Sequence, residues 1–245
     1  MIKIIAFDLD ETLYPTDTRL MEAINERIKL YMVQRLGFDP LEVDQIRQRY
    51  YAHYGTSLRG LMVEYGIDPD DFLHFVHDVP LERYLSPNNQ PLRRVLSRIP
   101  LEKVIFTNAS REHALKVLNY LGLAEHFSRI VDIRDLNFFC KPHPEAYRLF
   151  LEIVGAKGEE CILVDDTPRN LVAAKAFGII TVLVNGEPQE GIDFVIKDLV
   201  EIERVVKEIT ATADQVRVLK IQEQSGPARK GGNRSEEQNS GKVGG

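Results

Sequence analysis

Near its beginning the chain runs from a dense apolar stretch straight into a pair of aspartates: Lys3–Leu9 reads KIIAFDL, and Asp8 and Asp10 flank Leu9. A run this short, rich in Ile and cut off by acidic and turn residues, reads as a strand buried on both faces. Similar runs recur at Lys103–Asn108, Arg129–Ile133, Cys161–Asp166 and Ile180–Asn185, with a later short one at Asp193–Ile196. Helical patterns separate them at Glu112–Leu121, Pro144–Val154 and Arg169–Phe177, and Gly155 and Gly178 stand where the last two should stop. A final amphipathic helix follows within the segment that ends at Ile209. Strand and helix alternating at this spacing predict an α/β fold, a parallel sheet with helices on both faces.

Between the first and second strands the pattern changes. Apolar residues recur at helical spacing through Leu20, Ile24, Ile28, Tyr31 and Met32, then Val43, Ile46 and Tyr50, then Leu58, Leu61 and Met62, then Phe72, Phe75 and Val76. This predicts an inserted all-helical unit over residues 17–89, carried by an α/β core built from 1–16 and 90–210. Residues 211–245 are expected to form a disordered tail, because from Gln222 onward only Val243 could anchor a core. No stretch reaches the roughly 18–20 apolar residues that cross a bilayer, and no signal-peptide pattern precedes the first strand. With Cys140 and Cys161 the only cysteines of 245 residues, a disulfide scaffold is excluded and a reducing, cytoplasmic setting is expected. The net charge of −6 argues against a nucleic-acid polymer as partner, yet a local cation cluster or metal still admits a small anionic substrate.

In an open parallel sheet, ligands bind beyond the carboxyl ends of the strands. Asp8 and Asp10 follow the first strand, Thr107 and Asn108 the second, and Asp165 and Asp166 the fourth; Lys141 precedes the Pro144 helix. If the backbone stays extended through Leu9, Asp8 and Asp10 leave it on the same side. So many half-buried carboxylates cannot all stay ionised without a cation. Hard oxygen ligands suit Mg²⁺, Lys141 adds a mobile positive charge, and Thr107 and Asn108 offer donors to phosphoryl oxygens.

The segments FDLDETLY, IFTNAS, KPHPEAY and LVDDTPRN, in this order and spacing, resemble the four motifs of the haloacid dehalogenase superfamily. The resemblance implies a Rossmann-like sheet with a helical cap over the site. It implies that Asp8 is the nucleophile, forming an aspartyl-phosphate, and that Asp10 is the general acid and then base. It further implies that Thr107 and Asn108 bind the phosphoryl group and that Lys141 is the third-motif lysine. Asp165 and Asp166 would bind Mg²⁺ together with Asp8 and the Asp10 carbonyl. Dehalogenases of this superfamily lack the second aspartate; its presence as Asp10 favours phosphate esters over carbon–halogen bonds, with phosphomutases still open.

The substrate is expected to be set by the insert. DETLYP, His53–Leu61 (HYGTSLRGL), Val76–Pro87 and Thr107–Leu123 resemble the pyrimidine 5′-nucleotidase branch, which implies hydrolysis of nucleoside 5′-monophosphates. A small sugar phosphate or phosphoglycolate is the alternative, and a non-catalytic binding protein the remote one. Tyr54, Thr56 and Arg59 are candidate substrate contacts from the insert, with Gly55 breaking one helix and Thr56 or Ser57 capping the next as the plainer reading. His143 is expected to start a helix rather than pair with Cys140 on a metal, and His74 and His77 to be packed or solvated. Tyr50, Tyr51 and Tyr54 are expected in the core of the insert, and Asn170 is expected to shape the fourth-motif loop. Composition fixes no oligomeric state.

Overall fold

The computed structural model describes residues 1–211, so the tail expected over 211–245 lies outside the described residues from Thr212 onward. Six parallel strands form one sheet in the order β3-β2-β1-β4-β5-β6. They are β1 (Ile4–Phe7), β2 (Glu102–Phe106), β3 (Arg129–Val131), β4 (Cys161–Asp165), β5 (Ile180–Val184) and β6 (Phe194–Ile196). β1 is the pivot: Ile4–Phe7 pair with Glu102–Ile105 on one side and with Cys161–Val164 on the other. The strand order reverses there, and a crevice opens beyond the carboxyl end of β1.

Alternation along the strands builds two cores. Ile5, Phe7, Ile105, Ile162 and Val164 enter one apolar cluster, while Ile4, Ala6, Val104, Phe106, Cys161 and Leu163 enter the opposite one. The first is covered by α5 (Gln90–Arg98), α6 (Arg111–Leu121) and a helix over 202–211, and the second by α7 (Pro144–Val154) and α8 (Pro168–Lys175). This is the α/β sheet with helices on both faces that the alternating runs predict. α8 stops at Lys175, so Gly178, in the left-handed region at φ +78°, closes the following turn rather than the helix itself.

Four helices stand between β1 and α5: α1 (Leu20–Leu36), α2 (Val43–Tyr54), α3 (Ser57–Tyr65) and α4 (Pro69–Val76). Tyr31, Met32, Val43, Tyr50, Leu58, Leu61, Phe72, Leu73 and Val76 give them a third apolar cluster, joined by Ile133 and Cys140 from the α/β part. Leu20 and Ile24, early in α1, instead pack in the first sheet cluster, as do Val79, Leu81 and Leu85 after α4. Gly55 takes φ +87° and ends α2, and the Thr56 hydroxyl accepts the Arg59 N–H at 3.2 Å to cap α3. The His143 ring likewise accepts the Glu145 N–H at 3.1 Å and caps α7. Among the described residues, no helix is long and apolar enough to cross a membrane.

Candidate active site

The crevice beyond β1 is the floor of a cavity of about 430 Å³. Asp8, Asp10, Thr107, Asn108, Lys141, Asp166 and Asn170 line its lower part; Asn25, Ile28, Arg47, Tyr51, Thr56, Phe72, Leu73 and Val76 of the insert close it from above. Asp8, Asp10, Thr107, Asn108 and Asp166 stand just past strand ends, Lys141 precedes α7, and Asn170 lies in the first turn of α8. The spacing of the apolar runs thus brings residues distant in sequence to one place.

The centre is a buried ion cluster. The Lys141 ammonium, 1% exposed, donates to Asp8 Oδ1 at 3.0 Å and to Asp165 Oδ2 at 2.6 Å. Asp165 also accepts the Thr167 N–H at 2.8 Å and both Asn170 contacts at 3.1 Å, so Asn170 shapes this loop as expected. Asp166 accepts from the Thr12 hydroxyl at 3.0 Å, and its own N–H donates back to Thr12 at 3.1 Å, tying the fourth motif to the first. Burial would strip the lysine of its proton, but Asp165 and Asp8 outweigh it and raise its pKa. Burial raises Asp8 well above the usual carboxylate range despite Lys141, with Asp165, Asp166 and Asp10 adding to it. Burial and the adjacent Asp165 push Asp166 up to about 6.

One oxygen of each of Asp8, Asp165 and Asp166 lies within 4.8 Å of the others. Three carboxylates facing a single ammonium leave uncompensated negative charge, whose repulsion adds to burial in raising Asp8 and Asp166. An all-oxygen set with excess negative charge fits a hard divalent cation such as Mg²⁺. The Cys140–His143 pair does not form a metal group: Cys140 Sγ donates to the Tyr54 carbonyl at 3.2 Å, and His143 caps α7.

Asp10 occupies separate surroundings. β1 ends at Phe7 and Glu11 takes φ +60°, so Asp10 stands in a turn beyond the extended strand. Its Oδ1 accepts from the Tyr14 hydroxyl at 2.6 Å and from His113 Nε2 at 2.9 Å. Burial alone would raise its pKa; the His113 charge and the two hydrogen bonds reverse that and bring it below the usual range. Tyr14 and His113 escaped the sequence reading, since a buried Tyr four residues on and a His in the first turn of α6 look like ordinary core residues.

Thr107 is buried and accepts the Ala109 N–H at 3.0 Å. Asn108 spans the Lys141 backbone, its Oδ1 accepting the Lys141 N–H at 2.8 Å and its Nδ2 donating to the Lys141 carbonyl at 3.1 Å. Both amide atoms thus position the lysine segment, a task not anticipated from the sequence. Among the insert residues Thr56 lines the cavity, whereas Tyr54 donates to Glu64 at 3.2 Å and Arg59 lies 4.8 Å above the Phe139 ring. Tyr50 is buried and Tyr51 half exposed, with the Arg169 guanidinium 3.3 Å over its ring. Arg169 also donates to the Tyr51 and Gly55 carbonyls, each at 3.0 Å, and so binds the insert to the start of α8. His77 is packed, stacked on His113.

Comparison with known proteins adds an independent measure. A family model described as haloacid dehalogenase-like hydrolase matches residues 2–178. "Phosphate metabolism protein 8" of Saccharomyces cerevisiae is 28% identical over 215 residues, 80% of this chain and 66% of that protein, so the chain spans just under two thirds of that relative's length. "Phosphoglycolate phosphatase" of Chromobacterium violaceum is 29% identical over 203 residues, 75% of this chain and 85% of the relative. The crystal structure of a HAD phosphatase from Thermococcus onnurineus superposes with a TM-score of 0.57 at 21% identity, covering 84% of this chain and 98% of the other; at that identity it bears on the fold alone.

Proposed function

The chain belongs to the haloacid dehalogenase-like hydrolases, and from that premise we propose that it is a Mg²⁺-dependent phosphomonoesterase that hydrolyses nucleoside 5′-monophosphates, pyrimidine nucleotides foremost. The observation that carries the reading is the shared cavity: the ion cluster of Asp8, Lys141 and Asp166 and the separately held Asp10 open into one space with an apolar roof of Ile28, Phe72, Leu73 and Val76. At about 430 Å³ it lies within the range of roughly 300–1,000 Å³ typical of small-molecule sites, and it exceeds what a two-carbon phosphoester fills.

In this reading Asp8 attacks phosphorus, forming a carboxyl–phosphate bond while the ester P–O bond breaks. Asp10 gives its proton to the departing alkoxide, then accepts one from the water that cleaves the aspartyl-phosphate and releases inorganic phosphate. The surroundings of Asp10 favour its carboxylate form, the base of the second half-reaction. An incoming phosphate dianion raises its pKa by like-charge repulsion and so favours the acid form for the first. Lys141 holds Asp8 in place and faces the transferring phosphoryl group, and Thr107 offers its hydroxyl to the same group. Mg²⁺ would be held by Asp8, Asp165 and Asp166 with the Asp10 carbonyl, where it supplies charge neutralisation to the phosphoryl oxygens.

A small phosphate such as phosphoglycolate is the second reading, favoured by the similarity to the phosphoglycolate phosphatase of Chromobacterium violaceum. A panel of UMP, CMP, AMP, glucose phosphates and phosphoglycolate with Mg²⁺, compared by kcat/KM, separates the two. The expected order places UMP and CMP first; phosphoglycolate or a sugar phosphate turning over as well or better would overturn the nucleotide assignment.

A further inference from the structure

His113 is 1% exposed, yet it is a titratable ring in the first turn of α6, pointed at the cavity floor. Its Nε2 lies 2.9 Å from Asp10 Oδ1. An ionised carboxylate only accepts, so Nε2 carries the proton and donates it. Nδ1 is buried and has no hydrogen-bond partner. Leaving a buried polar nitrogen bare costs stability that an apolar side chain would not. The ring's contribution therefore lies at its other nitrogen, on Asp10.

The Tyr14 hydroxyl reaches the same oxygen, Oδ1, at 2.6 Å. Two donors on one oxygen fix the rotation of the carboxylate and leave Oδ2 as the oxygen that carries or takes the reacting proton. The far face of the His113 ring is stacked on His77, with centroids 4.3 Å apart and planes 16° apart. His77 sits at the end of α4, and its Nδ1 lies 3.1 Å from the Ser110 hydroxyl. The Ser110 oxygen also accepts the His113 N–H at 3.3 Å, which caps α6. A continuous path of contacts thus leads from the C-terminal end of α4, through two rings, to the carboxylate of Asp10.

We propose that His113 is a positioning residue that holds the Asp10 carboxylate with Oδ2 toward the leaving group, and that His77 makes this depend on how the insert is seated. The inference rests on Asp10 acting as general acid, so the test measures that role separately. The Mg²⁺-loaded full chain is assayed by kcat/KM on UMP, which has a poor alkoxide leaving group, and on p-nitrophenyl phosphate, which needs no proton. Asp10→Asn is the reference and is expected to lose far more on UMP than on p-nitrophenyl phosphate. His113→Leu should follow the same pattern, losing about 10²-fold on UMP and less than about tenfold on p-nitrophenyl phosphate, within the range of a general acid–base contribution. His113→Gln, which keeps an amide donor within reach, should recover most of the UMP rate. His77→Leu should lose UMP activity in the same selective way but to a smaller extent, and it carries the test if His113→Leu does not fold.

If Asp10→Asn loses both substrates equally, the general-acid role falls and the inference with it. If Asp10→Asn discriminates while the His113 and His77 variants lose both substrates equally, or neither, the histidines only support the fold and the positioning role is overturned.

Discussion

Lys141 is the side chain at which the fold and the proposed chemistry meet most directly. Its ammonium is buried between Asp8 and Asp165, and removing it leaves two buried carboxylates facing each other. Lys141→Met is therefore expected to cost on the order of 3–5 kcal/mol of stability, read as a lowered urea midpoint, and to abolish turnover. Asp8→Asn acts in the other direction on stability. It removes one negative charge from a cluster with too many, so the melting temperature should hold or rise while kcat falls roughly 10⁴–10⁶-fold, the scale of losing a nucleophile. A variant that turns over close to the parent rate would remove Asp8 from that role. Asp8, Asp165 and Asp166 could be picked out in the sequence because each stands at the conspicuous end of an apolar run, and Lys141 because it just precedes the Pro144 helix. His113 and Tyr14 could not, because their importance comes from the fold bringing α6 and the turn after β1 against one carboxylate oxygen. Asn108 was visible as a residue, but not its task of bracketing the Lys141 backbone.

At the scale of elements, the strands were legible because burial on both faces leaves few ways to write them, and every apolar run became a strand within a residue or two of its expected ends. The helices of the insert were legible by period, but their mutual packing was not. Gly60 illustrates this. It lies mid-helix in α3, and a Cβ there would stand 2.4 Å from Cγ of the buried Tyr50 ring. The glycine lets α2 and α3 approach closely, which sets where Tyr51 and Thr56 stand on the cavity wall. Gly60→Ala gains about 1 kcal/mol of helix propensity against overpacking of typically about 1–3 kcal/mol. The expected outcome is a net loss of stability with a raised KM, measured by thermal melts and steady-state kinetics. An unchanged KM would separate this helix pair from the substrate.

For the molecule as a whole, the packing of the insert on the sheet has a pH signature. His77 is pushed down from 6.5 to about 3, by burial first and then by the His113, Arg134 and Lys116 charges, with Asp10 opposing them. The unfolded chain takes up this proton below about 6.5, whereas the folded protein does so only near 3. The unfolded state therefore binds more protons across that window, and stability falls as pH drops through it. His77→Gln should flatten the slope of unfolding free energy between pH 6.5 and pH 3 relative to the parent protein. The raised Asp8 and Asp166 pull in the opposite sense but are present in both proteins. Parallel slopes would show that His77 does not contribute.

The helix α1 enters the sheet's cluster with Leu20 and Ile24 and the insert's cluster with Tyr31 and Met32. A single rod anchored by burial at both ends transmits melting in either direction. Stripping the insert frees the later turns of α1, and the fraying then runs back to expose the side chains beneath β1. The long interruption between the first two strands is therefore not expected to behave as a detachable module. Unfolding of the protein is expected to run through both clusters as one transition, so that the chamber over Asp8 lasts only as long as the sheet beneath it.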